Sequence, residues 1–433
     1  MTAELAVLNK SAVALAADSA VTAVGPEGPE RIYNSADKLF TLSKYHPVGV
    51  MVYGAVEFMG VPWETIIKQY REQAGDTAYD RLEQYADAFI RFLDRKSVYA
   101  DPESQSAHFR SITHACFKAI QDEVQRAFNQ RIDAKGQIED DREAKHIILS
   151  CITAELDRVK SYPLLRHLPK DFVQRLTRRY RAIFHKTRAD VFAKHSLTAT
   201  ASRRLAQIVP NAMARKRPIR HTGVVIAGFG EKDVFPSIKS FAAECVVGDR
   251  LKYWEEQHIR IDRHGTVAAL LPFAQRDVVD TFLSGANAEY VNFQEAVWQN
   301  CLGVFAQALL DAVGDKLGGA RPAVEAAIGE GIKKWSEEAR QELDRYRQRR
   351  FAQPVAAELA RLPKSELPEV AEALVSLTSL MRRVSGQHET VGGPTDVAII
   401  SRNDGFIWVK RKHYFGLDLN PLFTSTYFKK KPK

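Results

Sequence analysis

The sequence predicts an α+β fold in which antiparallel strand pairs are separated by two long helical stretches. Three observations carry this. The first 54 residues alternate short Val-, Leu- and Ala-rich runs with polar turn segments. Strand-like runs return at Thr222–Leu271 and at Val397–Lys410. Between them, apolar residues recur at helical rather than two-residue spacing.

Taken in order, Ala6 to Ala17 is apolar except where Asn9-Lys10-Ser11 interrupts it, which reads as a hairpin with strands over about 2–8 and 12–18. A hairpin brings its far ends together, here Thr2 and Asp18. Lys38–Leu42 and Val48–Tyr53 form a second pair around the turn Ser43–Pro47. Laid beside the first in one sheet, it brings Lys38 and Gly54 to the same end. Pro62 then opens a helix. Leu82, Tyr85, Phe89 and Leu93 make one helical stripe, and Phe109, Ile112, Cys116, Ile120, Val124 and Phe128 another. Gln137–Tyr162, Lys170–Lys194 and Thr198–Val209 also read as helices. Strands follow at Thr222–Gly230, Ser237–Val247, Ile259–Asp262 and Val267–Leu271, enough for a second sheet. A helix opens at Phe273–Asp277, and Tyr290–Val313, Pro322–Arg350 and Leu367–Arg383 continue the helical pattern. Asn403-Asp404-Gly405 turns a last hairpin, Val397–Ser401 with Phe406–Lys410.

Composition narrows the function classes. Of 433 residues, 45% are hydrophobic and 27% charged, the balance of a soluble globular protein. No run of about 18 apolar residues suggests a membrane span, and no basic segment with an apolar core suggests a signal peptide. Cys116, Cys151, Cys245 and Cys301 are far apart and read as buried free thiols, which fits a cytoplasmic protein. The net charge of +9 is concentrated in Arg166–Arg220, Arg345–Arg350 and Lys429–Lys433. No zinc spacing or nucleic-acid-binding signature accompanies it, so these residues read as solvated helix faces and nucleic acid is not an expected partner. There is no HExxH, GxSxG or Walker pattern, and the 12 histidines do not cluster with carboxylates. Neither a metal nor another cofactor is expected. The five tryptophans, Trp63, Trp254, Trp298, Trp335 and Trp408, read as core.

The N-terminal strand pairs gather a hydroxyl (Thr2), a carboxylate (Asp18), an ammonium (Lys38) and a glycine backbone (Gly54). A threonine hydroxyl needs a base, and the α-amine of an N-terminal threonine can serve. Its ordinary pKa of about 7.7–8.0 leaves much of it neutral near pH 7. This requires removal of Met1, expected when the next residue is as small as threonine. Lys38 would favour the alkoxide, Asp18 would orient Lys38, and the Gly54 N–H would stabilise an oxyanion. Each residue also has a bland reading: a frayed terminus, a strand end, an edge lysine, a turn glycine.

Together these residues resemble the proteasome β-subunit family of N-terminal nucleophile (Ntn) hydrolases, most closely over Thr2 to Gly54. The family begins its mature chain with threonine and has a step like Ala17-Asp18-Ser19, followed here by Thr22. Its lysine precedes two apolar residues, as in Lys38-Leu39-Phe40, and its oxyanion glycine corresponds to Gly54 after Val50-Met51-Val52-Tyr53. Departures are Ala3 for a frequent second threonine, Ala20 for a basic residue, and the inserted loop Gly25-Pro26-Glu27-Gly28-Pro29. Gln275 falls where a supporting serine is usual. Val391 replaces the serine of a closing Ser-Gly-Gly step that retains Gly392, with Glu389 and His388 near the family's acidic position.

The resemblance implies a four-layer αββα sandwich of two antiparallel sheets with helical expansions. It divides the chain into core (1–100), helical insertion (101–218), core (219–290), second helical expansion (291–385), and closing hairpin with basic tail (386–433). It implies hydrolysis of an amide or peptide bond through an acyl-threonine, with Thr2, Asp18, Lys38 and Gly54 catalytic and Ser19, Gln275, Glu389 and Gly392 supporting. Self-association is expected, and an ATPase partner is left open. The alternatives are a non-catalytic binding or assembly protein on the same fold with a degenerate site, and, more weakly, a basic helical scaffold for an acidic partner.

Overall fold

In the computed structural model, residues 2–25, 28–95, 100–136, 140–219, 221–385 and 392–413 are described, together with 416, 420–422 and 425. The fold is mixed α+β with antiparallel sheets. Strands β1 (Glu4–Asn9) and β2 (Ala12–Ala17) form the first hairpin. The Asn9 side chain tightens its turn by accepting the Ser11 N–H at 2.9 Å, and its amide donates to the Leu359 and Leu362 carbonyls. A buried polar side chain is thereby satisfied. Strands β3 (Val21–Gly25) and β4 (Gly28–Tyr33) pair only with each other among the described residues. Strands β5 (Leu39–Thr41) and β6 (Val48–Gly54) form the second pair. A small ribbon of β7 (Glu57–Phe58) and β8 (Val61–Pro62) leads into helices α1 (Trp63–Ala74) and α2 (Leu82–Asp94).

Helices α3 (Pro102–Lys135), α4 (Asp141–Ser161), α5 (Phe172–Arg179), α6 (Arg181–Val191) and α7 (Ala199–Met213) follow. Next come β9 (Thr222–Gly228), β10 (Ser237–Val247), β11 (Arg250–Arg260) and β12 (Ala268–Pro272). Helices α8 (Asp277–Ser284), α9 (Ala288–Leu317), α10 (Arg321–Arg347), α11 (Gln353–Arg361) and α12 (Leu367–Val384) precede the last hairpin, β13 (Asp396–Ser401) and β14 (Gly405–Lys410).

The strands assemble into two five-stranded sheets, ordered β12-β1-β2-β13-β14 and β11-β10-β9-β6-β5. This corrects two expectations. The two N-terminal hairpins do not lie side by side: they belong to opposite sheets, because β6 takes β9 as its neighbour while β2 takes β13. The central strands do not make one sheet either, since β12 crosses to pair with β1. Strand β11 is also far longer than the sequence suggested. Its charged residues sit on a sheet edge, where polar side chains are common and the apolar alternation weakens.

Strand periodicity sorts the side chains. Ala6, Leu8, Val13 and Leu15 meet Met51, Val225, Ala227 and Ile238 between the sheets. Leu5, Val7, Ala12 and Ala14 point the other way, under Leu359 of α11 and Leu367, Ala371 and Val375 of α12. Val50, Val52, Val224 and Ile226 pack under Ile66 and Ile67 of α1 and Phe89 and Leu93 of α2. Both sheets are therefore buried on both faces, which explains why β1 and β2 read as nearly continuous apolar runs. Helices α3–α7 form their own core, in which Phe109 stacks on Tyr180 at 4.1 Å, joined to the second sheet through Cys245 and Val247 of β10. No described residue of the inter-sheet core comes from 100–215. Two further expectations fail on the surface: Trp335 is 48% exposed and Cys301 is exposed, on α10 and α9.

Gly228 has φ +138°, and a Cβ there would lie 2.0 Å from the Pro47 carbonyl oxygen. Gly60, with φ +83°, has nothing within 4 Å of that position. Gly60→Ala is expected to cost only the left-handed backbone penalty, about 1–2 kcal/mol. Gly228→Ala should exceed it by roughly 2 kcal/mol or more through overlap with main chain. Urea unfolding of both variants checks this, and equal losses would contradict it.

Candidate active site

The first hairpin's register sets the site. Glu4 pairs with Ala17, so Ala3 and Asp18 face each other just beyond the ladder, where the Asp18 N–H donates to the Ala3 carbonyl at 3.1 Å. Asp18 is buried and its carboxylate is fully engaged. Oδ1 accepts from the Ala3 N–H at 3.1 Å and from Lys38 Nζ at 2.5 Å, and Oδ2 accepts from the Gly392 N–H at 3.0 Å. Lys38 is buried just ahead of β5, and its carbonyl accepts from the Val52 N–H at 2.8 Å. The opposed sheets thus deliver Asp18 and Lys38 to the same point.

Thr2 is 4% exposed. Its Oγ1 donates to Glu4 Oε2 at 3.0 Å, and its carbonyl accepts from the Gln275 N–H at 3.2 Å. Glu4 is buried, and its Oε1 lies 3.3 Å from Lys38 Nζ. A continuous polar chain runs from the Thr2 hydroxyl through Glu4 and Lys38 to Asp18. Glu4 was not among the candidates read from the sequence. The available signal was a lone charge opening an otherwise apolar strand, two residues after Thr2 and so on the same strand face. Burial pushes the Glu4 carboxyl up to about 7; the Lys38 charge opposes this, the Asp18 charge adds to it, and the Thr2 hydrogen bond opposes it.

The structure also brings in three of the supporting residues. Ser19 donates from its N–H to the Gly392 carbonyl at 3.3 Å and from Oγ to the Pro394 carbonyl at 2.6 Å, fastening the segment before β13. Gly392 grips Asp18 as above, and Gln275 holds the Thr2 backbone. Glu389, with His388, Thr390 and Val391, lies outside the described residues. Gly54 ends β6 opposite Thr222 with φ +89°, and a Cβ there would lie 2.8 Å from the His221 carbonyl oxygen. Its neighbour Tyr53 packs on Phe273 at 5.9 Å between ring centres, and the Phe273 N–H donates to the Glu4 carbonyl at 3.0 Å. Tyr53 donates to Glu256 at 2.7 Å. Burial, and then Glu256, raise its phenol pKa well above the ordinary value.

The chain matches no protein-family model and no curated protein. The site is therefore read from its own geometry. Among the described residues, no group of three or more His, Cys, Asp or Glu side chains is placed to hold a metal ion. The basic clusters of the sequence partly converge elsewhere: Arg178, Arg181, Arg188 and Arg203 line a cleft of about 690 Å³ among α5, α6 and α7, whose lining does not include Thr2, Asp18 or Lys38.

A carboxyl whose pKa is raised by folding favours the protonated native state. The stability present below its unfolded value near 4.5 is lost as pH rises through about 7. Glu4→Gln lacks this titration. Its stability relative to wild type should therefore improve between pH 4.5 and 7 by on the order of 3 kcal/mol. Urea unfolding across that window checks it, and a constant difference would show that Glu4 titrates normally.

Proposed function

We propose that this protein is an Ntn hydrolase of the proteasome β-subunit kind, a threonine-type peptidase or amidase that cleaves an amide or peptide bond through an acyl-enzyme on Thr2. The observation that carries the reading is the Thr2 hydroxyl at the head of the chain Glu4, Lys38, Asp18, all buried. The stacking of two antiparallel sheets, with helices against both outer faces, supports the four-layer αββα sandwich of that family. Residues 101–218 and 291–385 are then expansions of that core.

In this reading Met1 is removed. Thr2 Oγ attacks the carbonyl carbon, and the electron pair of the C=O bond moves to oxygen. Lys38 and the Gly54 N–H offset that developing charge, a contribution of roughly 3–4 kcal/mol for one well-placed donor. The amine leaves, and water then hydrolyses the ester. A peptide or amide is the substrate, the setting is cytoplasmic, and the chain self-associates. The near-complete burial of Thr2 favours a second reading, a binding or assembly protein on the same fold.

Thr2→Ala should abolish turnover of a mixed peptide library, while losing about 1–3 kcal/mol of stability because the buried Glu4 Oε2 is left without its donor. Lys38→Ala should lose most activity and also destabilise, since an unpaired buried carboxylate costs roughly 3–5 kcal/mol. The double variant should be scarcely worse, because residues acting as one unit are not additive. An epoxyketone should label wild type and spare Thr2→Ala, and intact mass should show Met1 absent and the Thr2 amine free. Retained Met1 in active protein would remove the amine from the mechanism. No cleavage, with equal labelling of both proteins, would leave the binding module as the better account.

A further inference from the structure

We propose that Glu4 is the general base of this site, accepting the Thr2 hydroxyl proton directly. This rests on Thr2 being the nucleophile. The geometry is that of a nucleophile, its base and a group that orients the base. Thr2 Oγ1 donates to Glu4 Oε2 at 3.0 Å, and Lys38 holds the other oxygen at 3.3 Å. Asp18 is a poorer acceptor, because its two oxygens already take three N–H donors, from Ala3, Lys38 and Gly392. Lys38 Nζ is already engaged between two carboxylates, at 2.5 Å from Asp18 Oδ1 and 3.3 Å from Glu4 Oε1. Glu4 is also buried directly beside the Thr2 hydroxyl.

The steps balance. As the Oγ–C bond forms, the proton passes from Oγ to Glu4 Oε2 and the C=O electron pair moves to oxygen. As the pair returns, the C–N bond breaks and the nitrogen takes the proton from Glu4. In the second half Glu4 takes a proton from water as it attacks the ester, then returns one to Thr2 Oγ as the C–O bond breaks. The groups facing Glu4 are Lys38 ahead of β5, Asp18 beyond β2 and Tyr53 of β6. A carboxyl raised to about 7 is matched to proton transfer near neutral pH.

A β-lactone tests this without knowledge of the substrate, since its ring-opening acylates a hydroxyl and is read as an intact-mass increment. In wild type the maximal labelling rate should rise with pH through about 7 and then level off. Glu4→Gln should label about 100-fold more slowly, with the same half-saturating lactone concentration and no rise near pH 7. Glu4→Asp, which keeps a carboxylate farther from Oγ1, should be intermediate and keep the rise. If the glutamine variant does not fold, as judged by circular dichroism, the aspartate variant decides. Labelling of the folded glutamine variant within about threefold of wild type, with the pH rise intact, overturns the assignment and gives the proton to the α-amine. So does an aspartate variant indistinguishable from wild type. Lactone on Thr2→Ala at the wild-type rate has a different meaning: the nucleophile itself is then misassigned.

Discussion

The Asp18 carboxylate is the joint on which the structure depends. It lies just past β2 of one sheet and takes its strongest contact from Lys38, just ahead of β5 of the other. It also takes the N–H of Ala3 before β1 and that of Gly392 before β13. Four chain segments and two sheets therefore meet at one anion. Between stacked apolar faces, such a charge is tolerable only when its lone pairs are filled, and removing one partner of a buried pair costs several kcal/mol. The same requirement that keeps the sheets aligned keeps Lys38 turned toward Glu4.

What the sequence revealed of this site, and what it hid, follows from the range of the interactions. Thr2 and Asp18 were legible because a tight hairpin brings its far ends together, with Asp18 opposite Ala3, a local constraint. Lys38 was legible through the pattern Lys38-Leu39-Phe40, although the sheet it borders was misassigned, and Gly54 ends a strand of that same sheet opposite Thr222. Which strand neighbours β6 or β12 is decided by pairings between segments far apart in the chain, and apolar runs buried on both faces carry no register of their own. Glu4 escaped because strand patterning treats one charge as noise. Trp335 and Cys301 were misjudged for another reason: helical periodicity identifies a face and says nothing about whether anything covers it.

Helices α3–α7 pack apart from the core between the two sheets. Strand β10 pairs with β9 only as far as Ala243, and beyond it Cys245 and Val247 enter the core of α3–α7. These helices are thus mounted on a strand extension at one end of the second sheet, outside the inter-sheet core that holds Ala6, Leu8 and Met51. They can have their own packing, and their own basic cleft, without disturbing the register that positions Thr2.

The sheet order has a consequence for how the protein is made. Strand β2 lies between β1 and β13, and β13 belongs to the last part of the chain. The Gly392 N–H that completes the Asp18 shell comes 374 residues later than Asp18 itself. At a ribosomal rate of about 5–20 residues per second, the β2 edge of the first hairpin stays open for roughly 20–75 seconds. An unpaired edge of that composition is a template for wrong partners. The emerging chain is therefore exposed to misassociation until β13 has been made, and the acidic joint that holds the two sheets closes only then.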